Sequence, residues 1–270
     1  LDLESNEEDA RSFERLQRLV DNAVNSSDQK MKLVGNQDAQ TKSKREGRGL
    51  AFYIFGQCFE LGRGTPVNLS LAKEWYHRSV DVSENVDAMW RLGVIYSELE
   101  DDYISALEWY RNAAEKGKHR ESHFQLGIFH LHGIANVEIN LAVAKKHFSK
   151  AAEQGHPMAT YELGRIVWYK NADHLYGYEL FKVAAQQLHV PAALRELGNL
   201  SHTGFSLHGI EVCEQNHKAA FAYYCEAAQL GDPIAALMVG NYFEEGYLKE
   251  ELGQDSERAL QWYESAYRLN

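Results

Sequence analysis

Small and apolar residues recur along most of this chain at helical spacing, and strand-like alternation of useful length is missing. Each recurrence ends on a glycine: Gly56, Gly93, Gly127, Gly164, Gly198 and Gly240, separated by 37, 34, 37, 34 and 42 residues. Five positions earlier stands a small residue, Ala51, Ala88, Ser122, Ala159, Ala193 or Ala235. Directly before the glycine stands an apolar one, Phe55, Leu92, Leu126, Leu163, Leu197 or Val239. A period in this range predicts a stacked helical array. A glycine inside a helix costs up to ~1 kcal/mol against alanine, so six in register require a reason. Close approach of a second helix supplies it.

That second helix carries an aromatic row: Tyr76, Tyr110, Phe148, Phe181, Tyr224 and Tyr263. Four residues before each ring is Ala72, Ala106, Ala144, Gly177, Ala220 or Ala259, and small residues mostly follow at three and four residues after. These positions share one helical face, so a single large ring sits among small side chains and can lie over the neighbouring glycine. Gly117, Gly155 and Gly231 follow second helices, Pro157, Pro191 and Pro233 open first helices, and Asp232 reads as an N-cap. The predicted fold is all-α: a right-handed α-solenoid of about six helical hairpins over residues 49–270.

The pattern resembles the Sel1-like repeat family, a relative of tetratricopeptide repeats. It is carried by Ala51–Arg63 with Ala72, Trp75 and Tyr76, by Ala106-Leu-Glu-Trp-Tyr-Arg-Asn-Ala-Ala-Glu-Lys-Gly117, and by Ala159-Thr-Tyr-Glu-Leu-Gly164. The second unit departs from the family pattern in its short connection, Glu98–Tyr103. The fourth has Gly177 for the usual alanine, and the fifth has a long connection, Thr203–His217. The resemblance implies a non-catalytic scaffold or adaptor that binds a protein or peptide on the concave face of its first helices. It also admits an adaptor of a membrane ubiquitin ligase in lumenal quality control, and a regulator of a kinase or cell-wall enzyme.

Residues 1–48 leave the repeat. Ser5 and Glu8 make a capping box, and Phe13, Leu16, Leu19, Val20 and Val24 make an apolar stripe, which predicts a helix within residues 1–24. Two roles are open for it: a cap on the first repeat, or a docking helix for a partner or a second copy of the chain. Residues 25–48, with Lys42, Lys44, Arg45 and Arg48, read as a polar linker.

Charge narrows the partners. Thirty-nine acidic and 28 basic residues leave a net charge of −11, which disfavours nucleic acid and anionic membrane. Three cysteines, Cys58, Cys213 and Cys225, are too few for a disulfide in every repeat and favour a reducing, cytoplasmic setting. Sequons at Asn25, Asn68 and Asn199 keep the endoplasmic-reticulum lumen as the alternative. Neither a membrane-crossing run nor a signal peptide is expected. The chain starts at Leu1 and ends at Asn270 without a polar capping helix, which reads as an excised piece of a longer protein.

Catalytic signatures such as G-x-x-x-x-G-K-[ST], G-x-S-x-G and H-E-x-x-H do not occur, so no enzyme activity and no cofactor is expected. One chemical constellation stands in the long fifth connection: His202, His208, Cys213 and His217. Zinc takes such ligands, but the spacing matches no strong motif, and a variable insertion is the plainer reading. A second group, His119, His123, His130 and His132, straddles a helix start. Neither is assigned a metal.

In related repeats, positions one and four after the glycine line the binding face. In the outer units these are polar: Gln57 and Glu60, Asn199 and His202, Asn241 and Glu244. In the central units they are Val94 and Ser97, Ile128 and Leu131, Arg165 and Trp168. An apolar centre rimmed by polar groups suits a partner, which makes Val94, Ile128, Leu131, Arg165 and Trp168 candidates. Arg195 joins them, because it replaces an aromatic of the row three before the glycine and can pair an acidic group of a ligand, or else Glu196 or Glu162.

Overall fold

The glycine ladder is a packing device, and it shapes every hairpin in which its contacts are described. The computed structural model describes residues 2–28, 39–117, 119–170 and 173–269. These form two compact units, Leu1–Ile139 and Asn140–Asn270. The first holds α1 (Asp2–Asp28), α2 (Ala39–Leu61), α3 (Leu69–Ser83), α4 (Val86–Glu98), α5 (Tyr103–Gly117) and α6 (Arg120–His132), then a short 3₁₀ turn, Ile134–Asn136. The second holds α7 (Leu141–Ala152), α8 (Pro157–Tyr169), α9 (His174–Lys182, extended by a π turn Val183–Gln187) and α10 (Pro191–Thr203). Strands β1 (Phe205–Leu207) and β2 (Ile210–Cys213) follow, then α11 (His217–Gln229), α12 (Pro233–Glu245), α13 (Lys249–Leu252) and α14 (Ser256–Leu269). The hairpins are α2/α3, α4/α5, α8/α9, α10/α11 and α12/α14.

In each of these hairpins a ring covers the glycine. A methyl group built on Gly56 would stand 2.7 Å from Tyr76 Cε1, and one on Gly164 would stand 3.0 Å from Phe181. Gly93, Gly198 and Gly240 meet Tyr110, Tyr224 and Tyr263 in the same way. The small partners are sealed: Ala72, Ala88, Ala106, Ala159, Ala193, Ala220 and Ala235 are all fully buried. Four first helices, α4, α6, α8 and α12, start on side-chain caps, while α10 starts at Val190 without one. Asn85, His119, His156 and Asp232 each accept a hydrogen bond from the backbone N–H three residues on, satisfying a donor the helix leaves open. Asp232 is thus the cap its position predicts, with Ala235 N donating at 2.8 Å.

The front of the chain corrects one expectation. Helix α1 runs to Asp28 and α2 begins at Ala39, so much of the segment read as a linker over 25–48 is helical, while residues 29–38 lie outside the described residues. Lys42, Lys44 and Arg45, three of the charges that suggested a linker, are exposed on α2, where Lys42 and Glu46 pair four apart, while Arg48 is half-buried. Gly49 is no flexible link: any side chain there would strike Ser83, and Ser79 Oγ donates to the Gly49 carbonyl at 2.6 Å. Helix α1 packs on α2, with Val20, Phe52 and Phe55 buried together and Phe13 stacked on Phe55 at 5.1 Å.

The long fifth connection is a β-hairpin. β1 and β2 pair antiparallel, Ser206 opposite Glu211 and Leu207 opposite Ile210. The two-residue turn, His208 at φ 50° and Gly209 at φ 78°, has the double positive φ of the tight turn that matches strand twist.

Candidate functional site

The first-helix positions expected to face a partner are occupied first by the ring beside them. Tyr76 donates its hydroxyl to Glu60, and Arg91 completes an ion pair with that carboxylate. Ser97 lies 3.0 Å from the Tyr110 hydroxyl, Tyr224 donates to Asn199 at 2.9 Å, and Tyr263 donates to Asn241 at 2.8 Å and Glu244 at 2.5 Å. Every residue here that meets a ring hydroxyl, Glu60, Ser97, Asn199, Asn241 and Glu244, sits one or four places after its glycine. A phenol taken from water needs a partner, and these residues are the partners. Burial pushes the Tyr110 phenol up to about 12, and burial with Glu196 nearby does the same to Tyr224. The units whose ring is Phe148 or Phe181 have no hydroxyl to satisfy, and position four is Leu131 or Trp168. Ring identity therefore accounts for one polar residue, at position one or four, in each tyrosine unit, and for the apolar residue at position four in the two phenylalanine units.

The structure places the six candidates differently. Trp168 is corrected from surface to core: it is 6% exposed, with its ring 4.7 Å from His174 and 4.8 Å from Phe205. Two departures from the repeat pattern bury it. The β-hairpin supplies Phe205, and Gly177 lets α9 approach until an added methyl would lie 3.0–3.1 Å from the Cβ, Cα and N of Trp168. Val94 is half-buried and packs against the cluster that holds Leu107, Tyr110 and Leu126. Ile128 and Leu131 are half-buried on α6.

Arg165 is the exposed charge. Its side chain keeps 47% of its surface, while Glu162, paired with it at 3.0 Å, keeps 12%. Arg195 is tied down instead: its Nε donates to Asp232 at 3.0 Å, so it joins one first helix to the cap of the next. Neither carboxylate proposed for it from sequence is its direct partner. Glu196 accepts from the hydroxyl of Tyr169 at 3.0 Å. Burial, with Glu196 alongside, pushes that phenol up to about 12. Tyr169, 57% exposed, is the aromatic that the first-helix row presents here. It was missed because Trp168 occupies the counted position, and its place as the last residue of α8 was the available signal.

The histidine and cysteine constellation does not converge. His202 and His217 lie with ring centroids 5.0 Å apart, each with Nδ1 on the Tyr242 hydroxyl, at 2.8 and 3.2 Å. His208 stands at the hairpin turn, and Cys213 is buried with its Sγ 3.8 Å from Ser201 Oγ. Among the described residues no group of three His, Cys, Asp or Glu is placed to hold a metal. In the other group, His119 serves as the cap of α6 and lies 3.4 Å from Asp87, while His123 is buried. Among the described residues no helix is long and apolar enough to cross a membrane.

Comparison with known proteins agrees with this hairpin architecture. The Sel1 repeat model matches residues 50–81, 86–118, 120–156, 191–232 and 233–270. It passes over the α8/α9 hairpin, where Gly177 replaces the usual alanine. A Sel1 repeat protein from Oxalobacter formigenes superposes with a TM-score of 0.71 at 20% identity, covering 96% of each chain. A protective antigen present in uropathogenic Escherichia coli strains superposes at 0.66 and 20% identity, covering 99% of this chain and 56% of that one. In sequence, "Activator of C kinase protein 1" of Saccharomyces cerevisiae is 28% identical over 137 residues, which is 43% of this chain and 22% of that protein. The match thus spans about a fifth of that relative's length.

Proposed function

The chain belongs to the Sel1 repeat family, whose members mediate protein–protein interaction, and from this premise we propose that it is a non-catalytic adaptor holding a protein or peptide partner on its first helices. The observation that carries the reading is the pair Arg165 and Tyr169 on α8. Both are exposed and both are anchored from beneath by buried carboxylates, Glu162 and Glu196. Arginine and tyrosine are the residue types that dominate binding energy at protein interfaces. Anchoring them in advance lowers the ordering cost that association must otherwise overcome. Ile128, Leu131 and Val94 on α6 and α4 remain secondary candidates, and Arg195 supports the surface through Asp232 rather than reaching for a ligand.

The test is quantitative capture from native extract with the wild-type chain and with an Arg165→Ala/Tyr169→Ala variant. The variant should keep its circular dichroism spectrum and lose the wild-type partner. An unchanged set and amount of captured protein would refute the placement.

The kinase-activator relative favours a more specific form of this reading, in which the partner belongs to kinase signalling. Kinase activity recovered with the wild-type chain and absent with the double variant would support it. A lumenal setting has its own reporter. Of the sequon asparagines Asn68 and Asn199, the first is exposed at the start of α3 and the second is engaged by Tyr224, so of these two Asn68 should take a glycan.

A further inference from the structure

The second unit contains a cavity that the Arg165–Tyr169 surface does not use. It has a volume of about 260 Å³ and is lined by His202, Tyr224, Met238, Asn241, Tyr242, Glu245 and Tyr247. Sites for whole small molecules begin at roughly 300 Å³, so this one suits a single side chain.

Its chemistry selects the occupant. Three tyrosines and Met238 offer aromatic faces and soft surface. Tyr242 and Tyr247 lie 5.0 Å apart at 52°, and Tyr247 is 45% exposed at the opening. The neighbouring carboxylates differ: Glu244 accepts from Tyr263 at 2.5 Å, whereas Glu245 lines the cavity and has no ion pair among the described residues. Among the described residues no lysine or arginine lines it. The stretch from Glu244 to Glu251 carries four glutamates against Lys249. Burial, with His217 beside it, holds His202 below the usual imidazole range, which disfavours its cationic form. An anion would meet Glu245 without compensation, and a purely apolar group would gain nothing from that carboxylate.

Resting on the protein-binding reading above, we propose that this cavity receives the cationic end of a lysine or arginine side chain from a partner peptide. The aliphatic stem lies against Met238 and Tyr247, and the charged head meets the tyrosine faces and the Glu245 carboxylate.

The test uses the full chain and three blocked amino acids: N-acetyl-arginine methylamide, N-acetyl-lysine methylamide and N-acetyl-norleucine methylamide. The chain has four methionines, and the Met238 methyl signal, assigned by its loss in Met238→Leu, reports on the cavity by ¹³C-methyl NMR. The arginine or lysine probe should shift that signal saturably, with a dissociation constant on the order of millimolar for so small a ligand. The norleucine probe should leave it in place. Glu245→Gln, an exposed position, should weaken binding about threefold or more with the remaining spectrum unchanged. No Met238 shift with either cationic probe, an equal shift with norleucine, or undiminished affinity in Glu245→Gln would each overturn the proposal. Because the probe is a single residue, the assay reads the cavity whether or not Arg165 and Tyr169 recruit a protein.

Discussion

Replacing Gly93 by alanine places a methyl group 2.5 Å from Cε1 and 2.7 Å from Cδ1 of Tyr110. Ordinary contact needs about 3.4–4 Å, so either the ring or the helix must give by about an ångström. The ring has no free direction: Tyr110 is 1% exposed, and its hydroxyl lies 3.0 Å from Ser97 Oγ. Alanine returns up to ~1 kcal/mol of helix propensity, whereas overpacking a filled core costs about 1–3 kcal/mol. The net expectation is a loss on the order of 1–2 kcal/mol. Gly47 provides the opposite case. It also lies inside a helix, but its methyl would meet nothing within 4 Å, so Gly47→Ala should gain about 0.5–1 kcal/mol. Urea unfolding followed by circular dichroism separates the two. With an m-value of about 3 kcal/mol/M, Gly93→Ala should lower the midpoint by about 0.5 M and Gly47→Ala should raise it by about 0.2 M. If both substitutions raise it equally, the ladder does not exist to admit rings.

Three further outcomes follow from named contacts. Asp232→Ala removes both the cap on α12 and the partner of Arg195, and should cost about 1–3 kcal/mol in the same assay, more than Asn85→Ala, which removes a cap alone. Tyr224→Phe should cost about 1 kcal/mol by leaving Asn199 without its donor, and adding Asn199→Leu should recover part of that loss; strict additivity would contradict the pairing. His202 is faced by His217 from α11, by Tyr242 from α12 and by Tyr247 after it, with Glu245 in the same cavity. Its folded pKa lies below the ordinary 6.5, so its contribution to stability is fully present above pH 6.5 and is lost as the pH falls through the lowered folded value. A His202→Gln chain should show a flatter dependence between pH 7.5 and 5.5, and an unchanged slope would count against it.

Much of the fold is legible in residue spacing, because one interaction repeats. A ring over a glycine fixes two rows, and those rows predict the hairpins found in each unit. What escaped had no repetition to expose it. Phe205, His208-Gly209 and Ile210 form a hairpin on the strength of a two-residue turn, a signal too short to stand against six helical units. Lys42 to Gly49 has the composition of a link and the geometry of a helix, because Gly49 is used for close approach rather than freedom. The candidate site was less legible, for a related reason. Counting from the glycine assumes that each unit exposes the same positions. In the fourth unit Gly177 and Phe205 draw Trp168 inward, and Tyr169 becomes the exposed aromatic.

The hydroxyl pairing bears on how such arrays change over time. A second helix bearing tyrosine is written together with the polar residue that receives it, and one bearing phenylalanine with an apolar neighbour. The two helices of a unit are therefore a matched pair, and recombination has a preferred seam. Exchanging whole hairpins between positions preserves the match. Moving α9 into the place of α11 would set Phe181 beside Asn199 and strand an amide, whereas the reverse exchange would set the Tyr224 hydroxyl beside Trp168 and Arg165, which offer it no acceptor. Duplication and shuffling that respect hairpin boundaries are tolerated, and crossovers inside a hairpin are penalised by the chemistry of one oxygen atom.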